Sequence, residues 1–480
     1  MLVIGGGLAG LASAVALAEA GCEVRLLEKR PHLGGRATSY TLPDGSEVDN
    51  CQHVTLGCCT NLADFYRRAG ASEKIQFYDR LYFADRQGRR STMQASSWPA
   101  PLHMAPSFAR FRALTFADKR SIARALLTIA CSGGMPKNID SISMLDWLRG
   151  MKQTSGAIDR FWRTVLVSAL DEDLEKTEAR YGIDVFWKGF LANSGGYRIG
   201  IPSVPLAALY EGCRQAVEKQ GGVVRLRSGV RQIQFKGGEF LGVILEDGSE
   251  MNAAACIAAV PHTAIPNLLP THAVGLSQAL RDLHNIHTSP ITGVHLWFDR
   301  PVMEEPFLAL LDHKTQWIFN KSLLYAQKGS MDAEQQSQSA PAQAGQYLQL
   351  VISASYDFVP ISRQEIIDLC LKEVADVLPV VHGAKLQKAT VIKEVSATFS
   401  PEPGVDRFRP PQDVGAKGLF FAGDWTRTGW PSTMEGAVRS GYLAAEAVTA
   451  SFDRPRKFIQ PDLAAEGLSA WWARRAAAKQ

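Results

Sequence analysis

The first ten residues, Met1-Leu2-Val3-Ile4-Gly5-Gly6-Gly7-Leu8-Ala9-Gly10, decide the fold of this chain. The four apolar residues predict a short buried strand, and Gly5, Gly7 and Gly10 follow it at the G-x-G-x-x-G spacing of a dinucleotide-binding turn. The run from Leu11 to Ala20 then predicts a helix whose N-terminus faces a pyrophosphate. We therefore expect residues 5–10, including Leu8 and Ala9, to bind a dinucleotide.

A second glycine turn narrows the choice of dinucleotide. A second predicted strand, residues 23–27, runs into Glu28 and Lys29. Glu28 lies 18 residues beyond Gly10, where a carboxylate can accept hydrogen bonds from ribose hydroxyls. Gly34, Gly35 and Arg36 follow, and the guanidinium can sit against the pyrophosphate. Simple NAD-dependent dehydrogenases lack this second turn, so the pattern favours FAD.

A matching pattern lies near the C-terminus. Residues 418–424 predict a buried strand that runs into a turn at Gly423 and Asp424, and this carboxylate can accept a hydrogen bond from a polyol hydroxyl. Met434-Glu435-Gly436-Ala437 then opens a predicted helix. The free amides of a helix N-terminus can face the electron-rich edge of an isoalloxazine ring.

The segments 5–10, 28–36 and 423–437 together resemble the superfamily of phytoene desaturases and flavin amine oxidases. The resemblance implies an α/β fold in which a Rossmann-like FAD-binding domain is interleaved with an α+β substrate-binding domain. The FAD-binding domain is assigned residues 1–80, 201–265 and 394–452, the substrate-binding domain 81–200 and 266–393, and a C-terminal tail 453–480.

The same resemblance carries two further expectations about the cofactor. Residues 223–233 and 256–261 look like the central strand pair of the superfamily, which would bring Val230 to the adenine. The stretch 430–434 contains no cysteine where amine oxidases of the superfamily carry their flavin linkage. We therefore expect FAD to be bound noncovalently.

A narrower resemblance concerns the reaction. Residues 49–54 and 57–61 look like the squalene-associated branch, the hydroxysqualene dehydroxylases. That branch implies reductive removal of an allylic hydroxyl, with reduced FAD as hydride donor, to give squalene for hopanoid or sterol synthesis. Residues 422–426 also look like carotenoid desaturases, so an isoprenoid desaturase is the alternative. A flavin amine oxidase and a non-enzymatic lipid-carrying flavoprotein are further hypotheses.

Candidate residues for the chemistry follow from these resemblances. His53 lies in the stretch that looks flavin-facing, together with Val54, and an imidazole can donate a proton to a departing hydroxyl. Gln52 can orient either group. A purely structural, hydrogen-bonding His53 is the alternative. Tyr197 and Arg198, in a glycine-containing turn, are candidate substrate contacts.

Composition limits the remaining possibilities. The chain has 480 residues with 52 basic and 48 acidic side chains, a balance that does not suggest nucleic-acid binding. Its 8 cysteines form no CxxC pair, so we expect reduced thiols, no metal site and a cytoplasmic protein. Residues 327–346 predict a surface loop.

Membrane contact is predicted to be peripheral. No window is apolar enough to span a bilayer, but residues 104–135 mix apolar and basic side chains in a way that suits an anionic lipid surface. Amphipathic helices packed on the core fit the same pattern. A long isoprenoid lipid substrate, and with it prenyl-transferring enzymes similar to squalene synthase, are the expected partners.

Overall fold

The computed structural model describes residues 1–137, 139, 141–270, 277–326 and 345–478. The surface loop predicted over residues 327–346 lies almost entirely outside them. The strands are β1 (Leu2–Ile4), β2 (Arg25–Leu27), β3 (Ser39–Thr41), β4 (Glu47–Asp49), β5 (Thr55–Leu56), β6 (Ile75–Tyr78), β7 (Arg80–Ala84), β8 (Arg90–Gln94), β9 (Ile199–Pro202), β10 (Val223–Arg225), β11 (Val230–Lys236), β12 (Glu239–Leu245), β13 (Glu250–Asn252), β14 (Cys256–Ala258), β15 (Thr288–Phe298), β16 (Phe307–Leu310), β17 (Trp317–Asn320), β18 (Gln346–Ile352), β19 (Leu386–Phe399) and β20 (Leu419–Phe421).

The helices alternate with these strands. They are α1 (Leu8–Glu19), α2 (Thr60–Arg68), α3 (Ala105–Ala109), α4 (Phe116–Cys131), α5 (Met144–Gly150), α6 (Ser155–Ala157), α7 (Arg163–Leu170), α8 (Ala179–Phe186), α9 (Glu211–Lys219), α10 (Ile265–Leu268), α11 (Gln278–Arg281), α12 (Lys321–Ala326), α13 (Arg363–Val377), α14 (Met434–Ser451) and α15 (Gly467–Ala477). Two π-helical turns, Ile158–Trp162 and Trp187–Leu191, precede α7 and follow α8.

A five-stranded parallel sheet carries the dinucleotide turn. Its strand order is β10-β2-β1-β14-β20, so β1 lies at the centre. Every residue of β1 is buried, as expected for a parallel strand with both faces covered. Helix α1 packs closely on α14. The helices are so close that a Cβ at Gly441 would lie 2.3 Å from the Ala9 carbonyl oxygen.

A seven-stranded mixed sheet forms the second layered unit, in the order β19-β15-β18-β17-β16-β7-β8. Its neighbouring strands are antiparallel except for the parallel pair β16 and β7. One face packs on α13 through side chains such as Leu296, Leu350 and Ile366. The opposite face presents Trp317, Phe319 and Val351 to a cavity. The α/β class with a Rossmann-like sheet and a second, mixed-sheet unit is thereby confirmed, while the residue ranges assigned to each domain stay a prediction.

Residues 104–135 form α3 and α4, and most of their apolar side chains face inwards. Phe111, Leu114, Ile122 and Ile129 are buried in the core, whereas Phe116 and Leu127 are exposed. Helix α15 of the tail packs on α4, close enough that a Cβ at Gly133 would meet the Ala473 Cα at 3.0 Å. Within the described residues, no helix combines the length and the apolar character needed to cross a bilayer.

Candidate FAD site and adjoining cavity

The first glycine turn contains two kinds of glycine. Gly5 has φ +103°, and a Cβ at Gly10 would lie 1.9 Å from the Gly5 carbonyl oxygen, so the protein itself requires glycine at both positions. Gly7 is different, because a Cβ there would meet nothing closer than the Gly35 Cα at 3.8 Å. The free space in front of Gly7 fits the close approach of a pyrophosphate at this position.

The second glycine turn lies directly against the first. The Gly34 N–H donates to the Gly6 carbonyl at 2.8 Å, and a Cβ at Gly35 would be 3.0 Å from the Gly7 Cα. The buried Glu28 carboxylate accepts hydrogen bonds from the backbone N–H of Gly6 at 2.6 Å and of Arg30 at 2.7 Å. Each carboxylate oxygen keeps a second acceptor position for a ribose hydroxyl.

The expected adenine side of the site is brought to Glu28 by the chain before β11. The Ser228 N–H donates to the Glu28 carbonyl at 2.9 Å, and the Arg227 N–H donates to the Arg30 carbonyl at 3.2 Å. Val230 follows as the first residue of β11 and is half-buried. Lys29, next to Glu28, is exposed.

Arg36 and Asp424, far apart in the sequence, meet in an ion pair. The Arg36 Nη2 lies 2.5 Å from the Asp424 Oδ1, and its Nη1 donates to the Ala397 carbonyl at 2.6 Å. Ser432 donates a hydrogen bond to the other Asp424 oxygen. Burial acts to raise the pKa of Asp424, but the Arg36 charge and the hydrogen bonds from Ser432 and Arg36 together outweigh it, and the pKa lies below its ordinary value. The carboxylate is therefore charged and can accept a polyol hydroxyl.

Helix α14 begins beside this pair. Thr433 caps the helix by accepting a hydrogen bond from the Gly436 N–H at 3.0 Å, which leaves other first-turn amides, including those of Met434 and Glu435, at the helix end. The Glu435 side chain turns away and accepts hydrogen bonds from the backbone N–H of Asn61 at 3.2 Å and of Leu62 at 2.7 Å. It therefore joins α14 to the start of α2.

The loop predicted to face the flavin is held by a buried ion pair that the sequence did not disclose. The Lys321 Nζ lies 2.8 Å from Asp49 Oδ2 and donates to Gln52 Oε1 at 2.9 Å, and the side chains of both ion-pair partners are fully buried. Burial acts to raise the pKa of Asp49, but the Lys321 charge together with the hydrogen bonds from Leu206, Lys321 and Ser39 holds it below its ordinary value. No pattern in the sequence indicated a partner for Lys321.

The candidate proton donor His53 is half-buried in this loop. Its Nδ1 donates to the Cys51 carbonyl at 2.9 Å. Burial lowers its pKa below the ordinary value, although the hydrogen bond to Cys51 acts in the opposite direction. The neighbouring side chains of Gln52 and Val54 line the cavity, whereas His53 does not belong to its wall.

The cavity has a volume of about 550 Å³ and a mainly apolar wall. It extends from the loop at Gln52 and the start of α14 to the exposed Leu102 and Leu127. Tyr197 contributes to the wall, but its hydroxyl is already bonded to the Asp79 carbonyl at 2.7 Å and to the Ala95 N–H at 2.9 Å. Arg198 forms its ion pair with Asp79 at the surface.

The fold and the site define an oxidoreductase of the dinucleotide-binding type with a large apolar cavity. The chain belongs to the flavin containing amine oxidoreductase family, whose model matches residues 8–449. The family implies FAD as the cofactor, and the two glycine turns, Glu28 and the Arg36–Asp424 pair fit that group. The protein is therefore an FAD-dependent oxidoreductase of the carotenoid desaturase and amine oxidase superfamily.

Two curated relatives are similar to this chain in sequence, and two solved structures share its fold. A zeta-carotene desaturase of Synechocystis sp. is 27% identical over 473 residues, covering 94% of this chain and 97% of the relative. A 15-cis-phytoene desaturase of Solanum lycopersicum is 29% identical over 471 residues, covering 94% and 78%. An oxidoreductase from Methanosarcina mazei superposes with a TM-score of 0.70 at 16% identity, covering 94% and 99%. A putrescine oxidase bound to putrescine gives 0.67 at 15%, covering 94% and 98%.

Proposed function

We propose that this protein transfers a hydride between FAD and a long isoprenoid lipid held in the apolar cavity. The observation that carries the proposal is the continuity of that cavity with the two segments expected to face the flavin, the loop at Gln52 and Val54 and the start of α14. An isoprenoid chain gains about 0.8 kcal/mol for each CH₂ group that it buries in such a wall. The curated relatives are named as carotene and phytoene desaturases, which supports an isoprenoid substrate.

The residues of the site would bind FAD and exclude water from the reacting carbon. Bound FAD would supply the hydride acceptor or donor. Arg36 would offset the pyrophosphate charge, Glu28 and Asp424 would fix the ribose and the polyol, and the amides that open α14 would face the pyrimidine edge of the ring. The apolar wall would exclude water from the reacting carbon, so that the hydride is not lost to side reactions.

Two directions of the hydride transfer have support. Desaturation, in which the lipid gives up hydride, is favoured by the names of the curated relatives. Dehydroxylation of hydroxysqualene to squalene, the first expectation from residues 49–54, requires a proton donor for the departing hydroxyl. His53 could fill that role only if its ring turned towards the cavity, since its Nδ1 now donates to Cys51. Gln52 already reaches the cavity and would orient the substrate.

A lipid surface would be the source of such a substrate. Leu102 and Leu127 are exposed where they meet the cavity, and Trp98, Leu468 and Trp471 are exposed as well. The tail helix lies close to Leu102, because the Leu468 N–H donates to the Ala100 carbonyl at 3.0 Å. We propose that these side chains rest on a membrane while the lipid enters between them.

The decisive experiment uses the purified holoprotein without oxygen. Photoreduced FAD enzyme is mixed with hydroxysqualene and oxidised enzyme with phytoene, and the extracted lipids are identified by mass spectrometry while flavin absorbance is followed. Squalene together with flavin reoxidation would establish the dehydroxylase. Desaturated phytoene together with flavin reduction would establish the desaturase. Neither product, with peroxide released from amines instead, would contradict an isoprenoid substrate.

A further inference from the structure

A few charged side chains interrupt the apolar wall of the cavity. Within the described part of the chain, Arg160, Asp184, Lys188 and Glu435 are the charged residues of that wall. Arg160 bonds to both oxygens of Asp312, each at 3.0 Å, and to the Ala113 carbonyl at 3.2 Å. Glu435 accepts hydrogen bonds from the backbone at the start of α2. Asp184 and Lys188 are the remaining two, and they bond to each other.

This pair lies on the side of the cavity where α14 begins. Asp184 belongs to α8 and Lys188 to the π-helical turn that follows it, and the Lys188 Nζ is 3.2 Å from Asp184 Oδ2. The same Nζ lies 4.9 Å from the centre of the Trp430 ring. Trp430 and Thr433, the residue that caps α14, both line the cavity. The side chains of Asp184 and Lys188 keep 18% and 22% of their surface exposed, respectively, so a ligand can reach them.

The chemistry of the pair suits a neutral oxygen function. An ammonium group has three donors, and one of those of Lys188 is directed at Asp184. Burial raises the pKa of Asp184 despite the nearby charges of Lys188 and Arg180, and Asp462 raises it further. The carboxyl therefore accepts a proton more readily than an exposed aspartate, and it can both donate and accept hydrogen bonds. A pure hydrocarbon would cover these groups without bonding to them, which is unfavourable.

We infer that Asp184 and Lys188 form the subsite that receives a hydroxyl group on the isoprenoid and thereby favour an isoprenoid alcohol over the corresponding hydrocarbon. The hydroxyl would accept a hydrogen bond from the Lys188 ammonium and share one with the Asp184 carboxyl, and hydrogen bonds to charged groups are the stronger ones. The inference rests on the proposed function, because it requires an isoprenoid in this cavity.

The test measures binding to the FAD-loaded protein of hydroxysqualene and of squalene, both presented in the same detergent micelles, by equilibrium partition with mass-spectrometric detection. We expect the wild-type protein to bind the alcohol about tenfold more tightly than the hydrocarbon. Lys188→Met and Asp184→Leu should abolish this preference by weakening the binding of the alcohol, and neither should weaken the binding of squalene. Lys188→Arg should retain the preference. Leu126→Ala, a change in the apolar wall, should weaken both ligands by the same factor and serves as the control.

The outcomes separate the inference from the function on which it rests. Equal binding of the two lipids by the wild-type protein, or a preference that survives both Lys188→Met and Asp184→Leu, would overturn the subsite. Failure of the wild-type protein to bind either lipid would overturn the isoprenoid substrate itself. Thermal unfolding and the flavin content of each variant identify proteins that have lost their fold, and for those Lys188→Gln and Asp184→Asn, which remove the charges at nearly constant size, are compared instead.

Discussion

Replacing Gly7 by alanine separates the needs of the fold from the needs of the cofactor. Gly7 has φ −76° and ψ 177°, an extended conformation open to any residue, and its Cβ would be 3.8 Å from the nearest protein atom outside its chain neighbours. We expect the free energy of unfolding of the apoprotein to stay the same or to rise by about 0.4–1 kcal/mol, since alanine restricts the unfolded chain. A methyl group placed against the pyrophosphate should cost FAD binding about 1–3 kcal/mol.

The measurement is a titration of apoprotein with FAD, followed by quenching of flavin fluorescence. The expected cost corresponds to an increase in Kd of about 5- to 150-fold. Gly10→Ala is the matched comparison, because its Cβ would lie 1.9 Å from the Gly5 oxygen and should destabilise the apoprotein itself. A Gly7→Ala protein with wild-type affinity for FAD would refute the assignment of this turn to the pyrophosphate.

Three further predictions concern the buried charges and the flavin. Lys321→Met should destabilise the fold by about 3–5 kcal/mol, measured by urea denaturation, because it leaves Asp49 unpaired. The double variant Lys321→Met with Asp49→Asn should recover much of this loss. Equal losses in the single and the double variant would contradict a charge effect. Burial lowers the pKa of His295 from 6.5 to about 3, so the unfolded chain binds a proton that the folded chain does not. The free energy of unfolding should therefore fall as pH falls from 6.5 towards 3, by at most about 1.4 kcal/mol per pH unit, and His295→Phe should remove this share of the slope. Acid denaturation should release all FAD into the supernatant, whereas fluorescence retained on the precipitated chain would demonstrate a covalent link.

The local features of the FAD site could be predicted from sequence because each depends on a few adjacent residues. The strand, turn and helix at residues 2–19 follow from an apolar run, glycine spacing and helix-forming residues. Glu28 follows from its distance to the last glycine. The strand that leads to Gly423 and the helix that begins at Met434 likewise follow from a short apolar run and the glycine turn after it.

The contacts that assemble the site could not be predicted in this way. The ion pairs of Arg36 with Asp424 and of Lys321 with Asp49 join residues hundreds of positions apart. A single sequence contains no signal that shows which distant residues are in contact. Helix α4 shows a different limit. Its mixture of apolar and basic residues fits a lipid surface as well as a protein core, and only the burial of Ile122 and Ile129 distinguishes the two.

The order of strands in the five-stranded sheet also bears on how the protein is made. The central β1 leaves the ribosome long before its neighbour β14, which begins at Cys256, and before the outer β20, which begins at Leu419. Until β14 arrives, β1 keeps an unpaired edge, which is a liability for a nascent chain. Asp424, and the helix that follows it, emerge later still. The flavin can therefore be captured in full only after the chain has been synthesised through α14, so cofactor supply matters from that point rather than when β1 and the first glycine turn emerge.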